Sequence, residues 1–395
     1  MALALEGLKV LDLTRVASGP FTTQMLADFG ADVIKIEMPR VGDDSRAFGP
    51  FFENGESTYF LATNRNKKSI TMNLKHPKAV EMFKEMVKQA DVVVENYAPG
   101  VMDRLGLGYD VLKEINPRII YCCVSGFGHS GPYSARVAYD VVAQAMGGLL
   151  AVTGTEETPT RTGPALGDLI PGLFGAFGIL AAVVAREKTG KGQKVDVAMQ
   201  ECISAMLENR VLAYFLTGEV PKRIGNRHPV AAPYNTYKAK DGYVVIGVAN
   251  EALWGRLCKA MGREELINDP KFNSSANRVA NVDEVDQIVQ EFVKDFATDD
   301  LVKFLEENAV PCAPVYTIDK LVVDPHWLER GMLTEADHPT CGKHKLVNAV
   351  PKLSDTPGNV RFGAPLLGQH NEEIYGKLFG LTSEDIEKLK EEKAI

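Results

Sequence analysis

The residue of this 395-residue chain best placed for covalent chemistry is Asp168, in the run Ala165-Leu-Gly-Asp168-Leu-Ile-Pro-Gly172, where a turn gives way to a glycine-rich helical stretch. The free N–H groups and dipole of a helix start favour a carboxylate anion. With an ordinary pKa of about 3.9 the group is expected to be almost wholly ionised at neutral pH, a nucleophile that needs no general base. The same position also suits a plain N-cap, so both roles stand. For an anionic ligand the chain offers Lys75, which opens a helix after one strand pattern, Asn96-Tyr97 after another, and Arg104 in the helix that follows. All fall beyond strand C-terminal ends, where open α/β sheets hold ligands. Solvated surface is the plain alternative for each.

Other chemistries are excluded by spacing. Gly126-Phe-Gly128-His129-Ser-Gly131 matches GxGxxG after a strand, but Pro132 follows directly and no helix opens there. Nor does an acidic residue stand roughly 20 positions on to hold a ribose. The run is expected to be a substrate-facing loop, with Gly128 and His129 as candidate contacts. The histidines at 76, 129, 228, 326, 338, 344 and 370 form no HExxH, and the six cysteines form no CxxC pair. No metal is therefore expected, no disulfide framework either, and a reducing cytoplasm fits best.

The composition is that of an ordinary folded protein, with 45% hydrophobic and 24% charged residues. Charges sum to 44 − 52 = −8, which argues against a broad nucleic-acid face. The opening MALALEGLKVLDL has no basic region ahead of its apolar residues, so no signal peptide is expected. The longest apolar run, Ile170 to Ala185, is short of the roughly 18 to 20 residues of a membrane span and carries Pro171 and three glycines. It is expected to be a buried helix, with no membrane partner.

The elements that must position these residues follow from the apolar pattern. Runs such as KVLDLT, ADVIKIE, SITMNL, DVVVEN and RIIYCCVS are solid rather than alternating and are separated by helical stretches. That predicts a parallel sheet covered on both faces, an α/β fold of Rossmann-like type. Beyond Gly225, GNRHPVAAPYNTYKAKDGYVVIGV predicts strands around a Lys240-Asp241-Gly242 turn, followed by helices. The expected organisation is a large domain over 1–200, a linker helix over 201–224, a smaller α+β domain over 225–330, and a return linker over 331–395 whose part from 335 completes the large domain. Thr382 with Asp385 predicts a capping box on the last helix.

In order and spacing, the runs TRVASGPFTTQMLADFGADVIKIE, GDDSR, NRNKKSI, VENYAPG, VSGFGHSGP, AYDVVAQA, ALGDLIPG, EKTGKGQ, GNRHP and PLLGQH resemble the class III CoA-transferases, the formyl-CoA and carnitine CoA-transferase group. The likeness spans almost the whole chain. It implies an interlocked homodimer, and coenzyme A or its acyl thioester as substrate with no permanently bound cofactor. It further implies that Asp168 attacks the thioester to give an aspartyl anhydride, which the CoA thiolate converts to an aspartyl-CoA thioester. Carried over by position, the CoA contacts fall on Ala17, Lys75, Asn96, Tyr97, Arg104, Tyr139 and Asp140. Two positions that are basic in the formyl-CoA type are Met38 and Val137 here, which implies a different grip on the nucleotide end. That type's glycine-rich lid has no counterpart around 220–245, which argues against oxalate. The TRV opening, VENYAPG and PLLGQH most resemble the succinyl-CoA-dependent dicarboxylate transferases, such as the glutarate type. A second carboxylate calls for a guanidinium fork, for which Arg15, Arg46 and Arg161 are candidates. The related α-methylacyl-CoA racemases supply the alternative, an acyl-CoA isomerase. Their GHD motif falls on Ala138-Tyr139-Asp140, however, and a tyrosine with a pKa of about 10 is a poor proton carrier at pH 7.

Overall fold

The structure, a computed structural model, describes residues 2–52 and 54–395. Its centre is a six-stranded parallel sheet built from β1 (Lys9–Asp12), β2 (Asp32–Glu37), β3 (Lys67–Thr71), β4 (Val92–Glu95), β5 (Ile120–Ser125) and β6 (Lys194–Ala198). The strand order is β3-β2-β1-β4-β5-β6. Solid apolar strands become buried on both faces because successive side chains alternate between them. Leu11, Ile34, Val93 and Tyr121 join one core with Phe83, Met86, Leu112 and Tyr375. Val10, Val33, Val94 and Cys122 join the other with Leu26, Ala176 and Ile179. The α/β class expected from the pattern is the class observed.

On the second face, α1 (Ser18–Asp28) packs against the helix Leu166–Thr189. Glycines at the contact let the two backbones approach. A Cβ on Gly172 would stand 2.8 Å from the Ser18 carbonyl, and one on Gly175 would stand 2.7 Å from Thr22 Oγ1. The Leu166–Thr189 helix departs from its expectation. It runs 24 residues, long and apolar enough by length and composition to cross a membrane, and only 33% of its most apolar window is buried. Leu173, Phe177, Leu180 and Val184 lie exposed along it, so it is half a core helix rather than a buried one.

The chain divides into two compact units, one of residues 1–149, 162–212 and 326–395, the other of 150–161 and 213–325. The second contains an antiparallel sheet of β7 (Tyr234–Lys238), β8 (Tyr243–Gly247) and β9 (Cys312–Pro314). Helices Glu251–Ala260, Val282–Val293 and Thr298–Glu307 pack there around Trp254, Val289 and Leu301. The single linker helix expected over 201–224 is instead two short ones, Met199–Ala205 and Arg210–Thr217. Glu208, at φ 55°, sits between them in a conformation no helix can contain.

Beneath the C-terminal ends of β1 and β2, and reaching the start of β3, lies a buried charge network. Lys35 Nζ is 2.8 Å from Asp43 and donates to the Thr14 carbonyl at 2.8 Å. Lys67 Nζ is 3.1 Å from Asp12 and donates to Pro20 O and Asn64 Oδ1, both at 2.9 Å. Arg46 grips Glu37 with two bonds of 2.8 Å. Burial alone would raise Asp12 and Asp43, but Lys67 and Lys35 at Asp12, and Lys35 at Asp43, hold both below the usual carboxylate range. Removing one partner strands the other in a dry interior, which typically costs about 3–5 kcal/mol. Lys35→Met is therefore expected to lower the unfolding free energy in urea by about that amount. Lys68→Met, which loses only the solvent-facing pairings with Glu373 and, at 4.0 Å, Asp32, should cost under about 1 kcal/mol. Equal losses would remove the network from its anchoring role.

Candidate active site

The order of the sheet reverses direction between β1 and β4, and a crevice must open where their following loops diverge. The loop after β1 supplies Arg15, Ala17 and Ser18, and that after β4 supplies Asn96, Tyr97 and Pro99. Together with Ser125, Gly126, Arg136, Tyr139 and Asp168 they line a cavity of about 320 Å³. A wider cavity of about 920 Å³ shares Val16, Tyr139 and Asp168 and adds Arg46, Tyr59 and Asp140. Both lie within the first unit, and Asp168 belongs to both.

The β1 loop is held on two sides. The Asn96 side chain accepts from the Arg15 N–H at 2.9 Å and donates to the Arg15 carbonyl at 2.8 Å, tying the two loops of the crevice together. Val16 has φ 70°, a left-handed conformation that a β-branched residue adopts only under constraint. Its N–H donates to Asp43 Oδ1 at 2.9 Å, so the buried Lys35–Asp43 pair imposes that turn.

Asp168 is the third residue of its helix, not its N-cap, which is Ala165 and makes no side-chain capping bond. Asp140 does the capping from a neighbouring helix, Asp140–Met146. Its Oδ1 accepts from the Gly167 N–H at 2.7 Å and from the Gln144 amide at 2.8 Å. The approach is close enough that a Cβ on Gly167 would stand 2.3 Å from the Asp140 carbonyl. Among the described residues none donates a hydrogen bond to the Asp168 carboxyl. Burial first, and the Asp140 charge second, push it up to about 7. The expectation of an almost wholly ionised carboxylate is thus corrected: desolvation and a like charge outweigh the helix dipole.

The other expected residues divide. Ala17, Asn96, Tyr97 and Tyr139 line the cavity with Asp168. Lys75 is exposed and borders a smaller cleft with Met38, Tyr97 and Val101. Arg104 lines none of these and lies exposed beside Gly100. Asp140 is a helix-capping acid, a poor neighbour for a phosphate. Of the arginines, Arg15 faces the cavity and bridges to Asp44 at 3.0 Å. Arg46 commits its fork to Glu37 and stacks on Phe60 at 3.7 Å, which leaves less of it for a substrate than expected. Arg161 falls in the second unit. Gly128 and His129 line neither cavity.

Of the cavity residues that escaped the sequence reading, two carry groups that could serve the chemistry. Tyr59 sits on the short helix Thr58–Thr63, and its phenol is held neutral by burial and by Asp168, Asp140 and Asp43. Arg136 lies stacked on Tyr133 at 3.8 Å, one residue before the Val137 position where a cation was missed. A shift of one residue is a signal a sequence carries, whereas nothing in the spacing around Tyr59 marks it. No histidine lines either cavity.

Comparison with known proteins identifies the family. The family model for CoA-transferase family III matches residues 5–371. The chain is 38% identical to the succinyl-CoA--D-citramalate CoA-transferase of Chloroflexus aurantiacus over 99% of this chain and 98% of that one. It is 41% identical to the human succinyl-CoA:glutarate CoA-transferase over 94% of this chain and 85% of that one. Among solved structures, a CAIB/BAIF family protein from Brucella suis superposes with a TM-score of 0.86 at 38% identity, covering 96% of this chain and all of the other. A whole-length match in sequence, and a fold that brings Asp168 into the crevice of the sheet, place the chain in CoA-transferase family III.

Proposed function

We propose that the protein moves CoA from a short acyl-CoA, succinyl-CoA foremost, to a short dicarboxylic acid through covalent intermediates on Asp168. The carrying observation is a carboxyl with no hydrogen-bond donor among the described residues, half-buried in the crevice of a Rossmann-like sheet and poised near neutrality. Its anion attacks the thioester carbonyl. The C–S bond breaks, and CoA leaves as the thiolate while a mixed anhydride forms. The thiolate then attacks the aspartyl carbonyl and expels succinate as its carboxylate, leaving an aspartyl-CoA thioester. An acceptor carboxylate attacks that thioester and the same steps run in reverse, so atoms, charge and electrons balance without an outside reagent.

Named side chains suit each task. The start of α1 has no side-chain cap, and Ala17 and Ser18 at that start line the cavity, so their N–H groups are placed for a developing oxyanion. Each such donor is typically worth about 3 kcal/mol. The neutral Tyr59 phenol offers a further donor near Asp168. Ala17, Asn96, Tyr97 and Tyr139 are proposed to border the CoA chain, with Lys75, Arg104 and Arg136 as cations toward its phosphates. Arg15 is proposed to meet the acceptor's second carboxylate. The dicarboxylate preference rests on the names of the relatives. An isomerase needs a second proton carrier beside Asp168, and no histidine borders either cavity.

We also propose an interlocked homodimer working in the cytoplasm. Leu173, Phe177, Leu180 and Val184 recur at spacings of four, three and four along the Leu166–Thr189 helix, and Phe177 is 70% exposed. A stripe of that kind calls for a second copy to cover it.

Mixing the protein with succinyl-CoA should give an adduct of CoA less one water by intact-protein mass spectrometry. Asp168→Ala should give none and lose at least about 10⁴-fold in turnover. Adduct formation by that variant, or deuterium entering the α-carbon with no CoA exchange, would refute the transfer reading.

Acylation should quicken as pH rises along a single ionisation near 7, and Asp140→Asn, which keeps the Gly167 bond, should move that limb to lower pH. Stability carries the opposite sign. Between about 3.9 and 7 the native Asp168 holds a proton that the unfolded chain has released, so this group's penalty grows as pH rises. Asp168→Asn should therefore raise Tm more at pH 8 than at pH 4, and a pH-independent difference contradicts the assigned ionisation.

Light scattering after gel filtration should give twice the 43.1 kDa chain mass, and Phe177→Lys should shift it toward monomer or aggregate. A monomeric wild type removes the dimer.

A further inference from the structure

Behind the crevice, three side chains that the acyl-transfer chemistry does not use meet in the first unit. Glu95 closes β4, and Cys123 on β5 is its direct partner across the parallel pair, so both side chains leave the same face. His129 follows six residues later, after a turn in which Gly128 takes φ 80°, and its ring turns inward. The His129 backbone N–H donates to the Asp196 carboxylate at 3.0 Å, which fixes the loop over β6. His129 Nε2 lies 3.7 Å from Glu95 Oε1, and one donor atom each from Glu95, Cys123 and His129 falls within 4.8 Å of the others.

None of the three groups has a strong charge partner within the cluster, and one has no hydrogen bond at its buried atom. Glu95 is 1% exposed and forms no ion pair with any lysine or arginine among the described residues. Its oxygens accept only from the Tyr97 N–H at 2.7 Å and the Tyr121 hydroxyl at 3.1 Å. His129 Nε2 is buried with no hydrogen-bond partner. The Cys123 thiol reaches only weak acceptors, Val195 O at 3.6 Å and Asp196 Oδ1 at 3.8 Å. A buried carboxylate without a cation and a buried imidazole nitrogen without a partner are both costly.

We propose that Glu95, Cys123 and His129 bind one borderline-soft divalent cation of the zinc class. One ion resolves all three deficits. Its charge of +2 balances one carboxylate and one thiolate, the imidazole is a neutral third ligand, and a water molecule would complete the tetrahedron. Ligand atoms around tetrahedral zinc stand about 3.3–3.8 Å apart, given bonds of about 2.0–2.3 Å, so the cluster needs only a small contraction. A sulfur, a nitrogen and an oxygen together favour zinc or cobalt over magnesium or calcium, which take oxygen donors. On binding, the thiol releases its proton to solvent, as does whatever fraction of Glu95 is protonated. The ion would join the ends of β4 and β5 to the Gly126–Gly131 loop directly behind Tyr97. This assignment rests on the strand register and is independent of the acyl-transfer reading.

The test uses the whole chain, stripped with a chelator and then offered Zn²⁺ or Co²⁺ alone. One equivalent should remain bound in equilibrium dialysis, and the Co²⁺ form should show a thiolate-to-cobalt charge-transfer band. Cys123→Ser should lose the band, and His129→Ala should bind at least about tenfold more weakly. Wild-type protein supplies a control that needs no variant: Zn²⁺ should shield Cys123 from alkylation in mild denaturant and leave its neighbour Cys122, on the opposite face, unshielded. Substoichiometric metal, binding by both variants as tight as by the wild type, or equal alkylation of the two cysteines with and without Zn²⁺ would overturn the site. The cluster is then a Glu95–His129 pair sharing a proton.

Discussion

Two lysines with no access to solvent determine where the chemistry can occur. Lys35 and Lys67 each meet a buried aspartate, and each also bonds a backbone carbonyl of the segment after β1. In a dry interior such pairs are poor sources of stability but stringent about geometry, because any displacement strands a charge. Here the geometry they enforce is that of the β1 loop. Asp43, held by Lys35, takes the Val16 N–H and with it the left-handed turn that aims Ala17 and the first turn of α1 into the crevice. The helix that carries Asp168 lies against α1 with no room for a Cβ at Gly172 or Gly175. Lys35 thus governs the position of Asp168 through a chain of contacts, without touching it.

How much of this was legible in the sequence follows from which interactions are local. Solid apolar runs specified the parallel strands, since a strand buried on both faces has no polar side to show. The Thr382–Asp385 capping box formed as expected, being a contact over three residues. Asp168 was found because its glycine-rich surroundings mark a helix start. Its ionisation was misjudged because burial, which only the fold creates, dominates it, and because Asp140, 28 residues upstream in sequence, supplies both the cap and a repulsive charge. Arg46 looked like a free fork until Glu37 occupied it, and Tyr59 carried no local mark at all. The Glu95, Cys123 and His129 cluster was invisible for the same reason. Its register is set by strand pairing, not by spacing along the chain.

The apolar run after Asp168 misled in a different way. Burial was expected because a helix hydrophobic on most sides ordinarily has a core around it. In this chain only the glycine-bearing side meets α1, and the side carrying Phe177 is bare. Sequence hydrophobicity reports that a surface will be covered but not by what. The helix is anchored on α1 within one copy, and the homodimer proposed above would cover its other side.

The environment of Asp168 also bears on why a carboxylate would suffice for the proposed acyl transfer. Raising its pKa from 3.8 to about 7 means that the site disfavours the anion by about 4 kcal/mol relative to water. Acylation removes the charge, and with it both the desolvation penalty and the repulsion from Asp140. The neutral anhydride and thioester therefore escape a cost that the free enzyme bears, which favours the covalent states the proposed cycle passes through. The same shift makes the anion more basic and more nucleophilic. It stops near neutrality, where a substantial fraction remains ionised. A carboxyl raised much further would be protonated and inert, and one left at its ordinary value would gain nothing from being acylated.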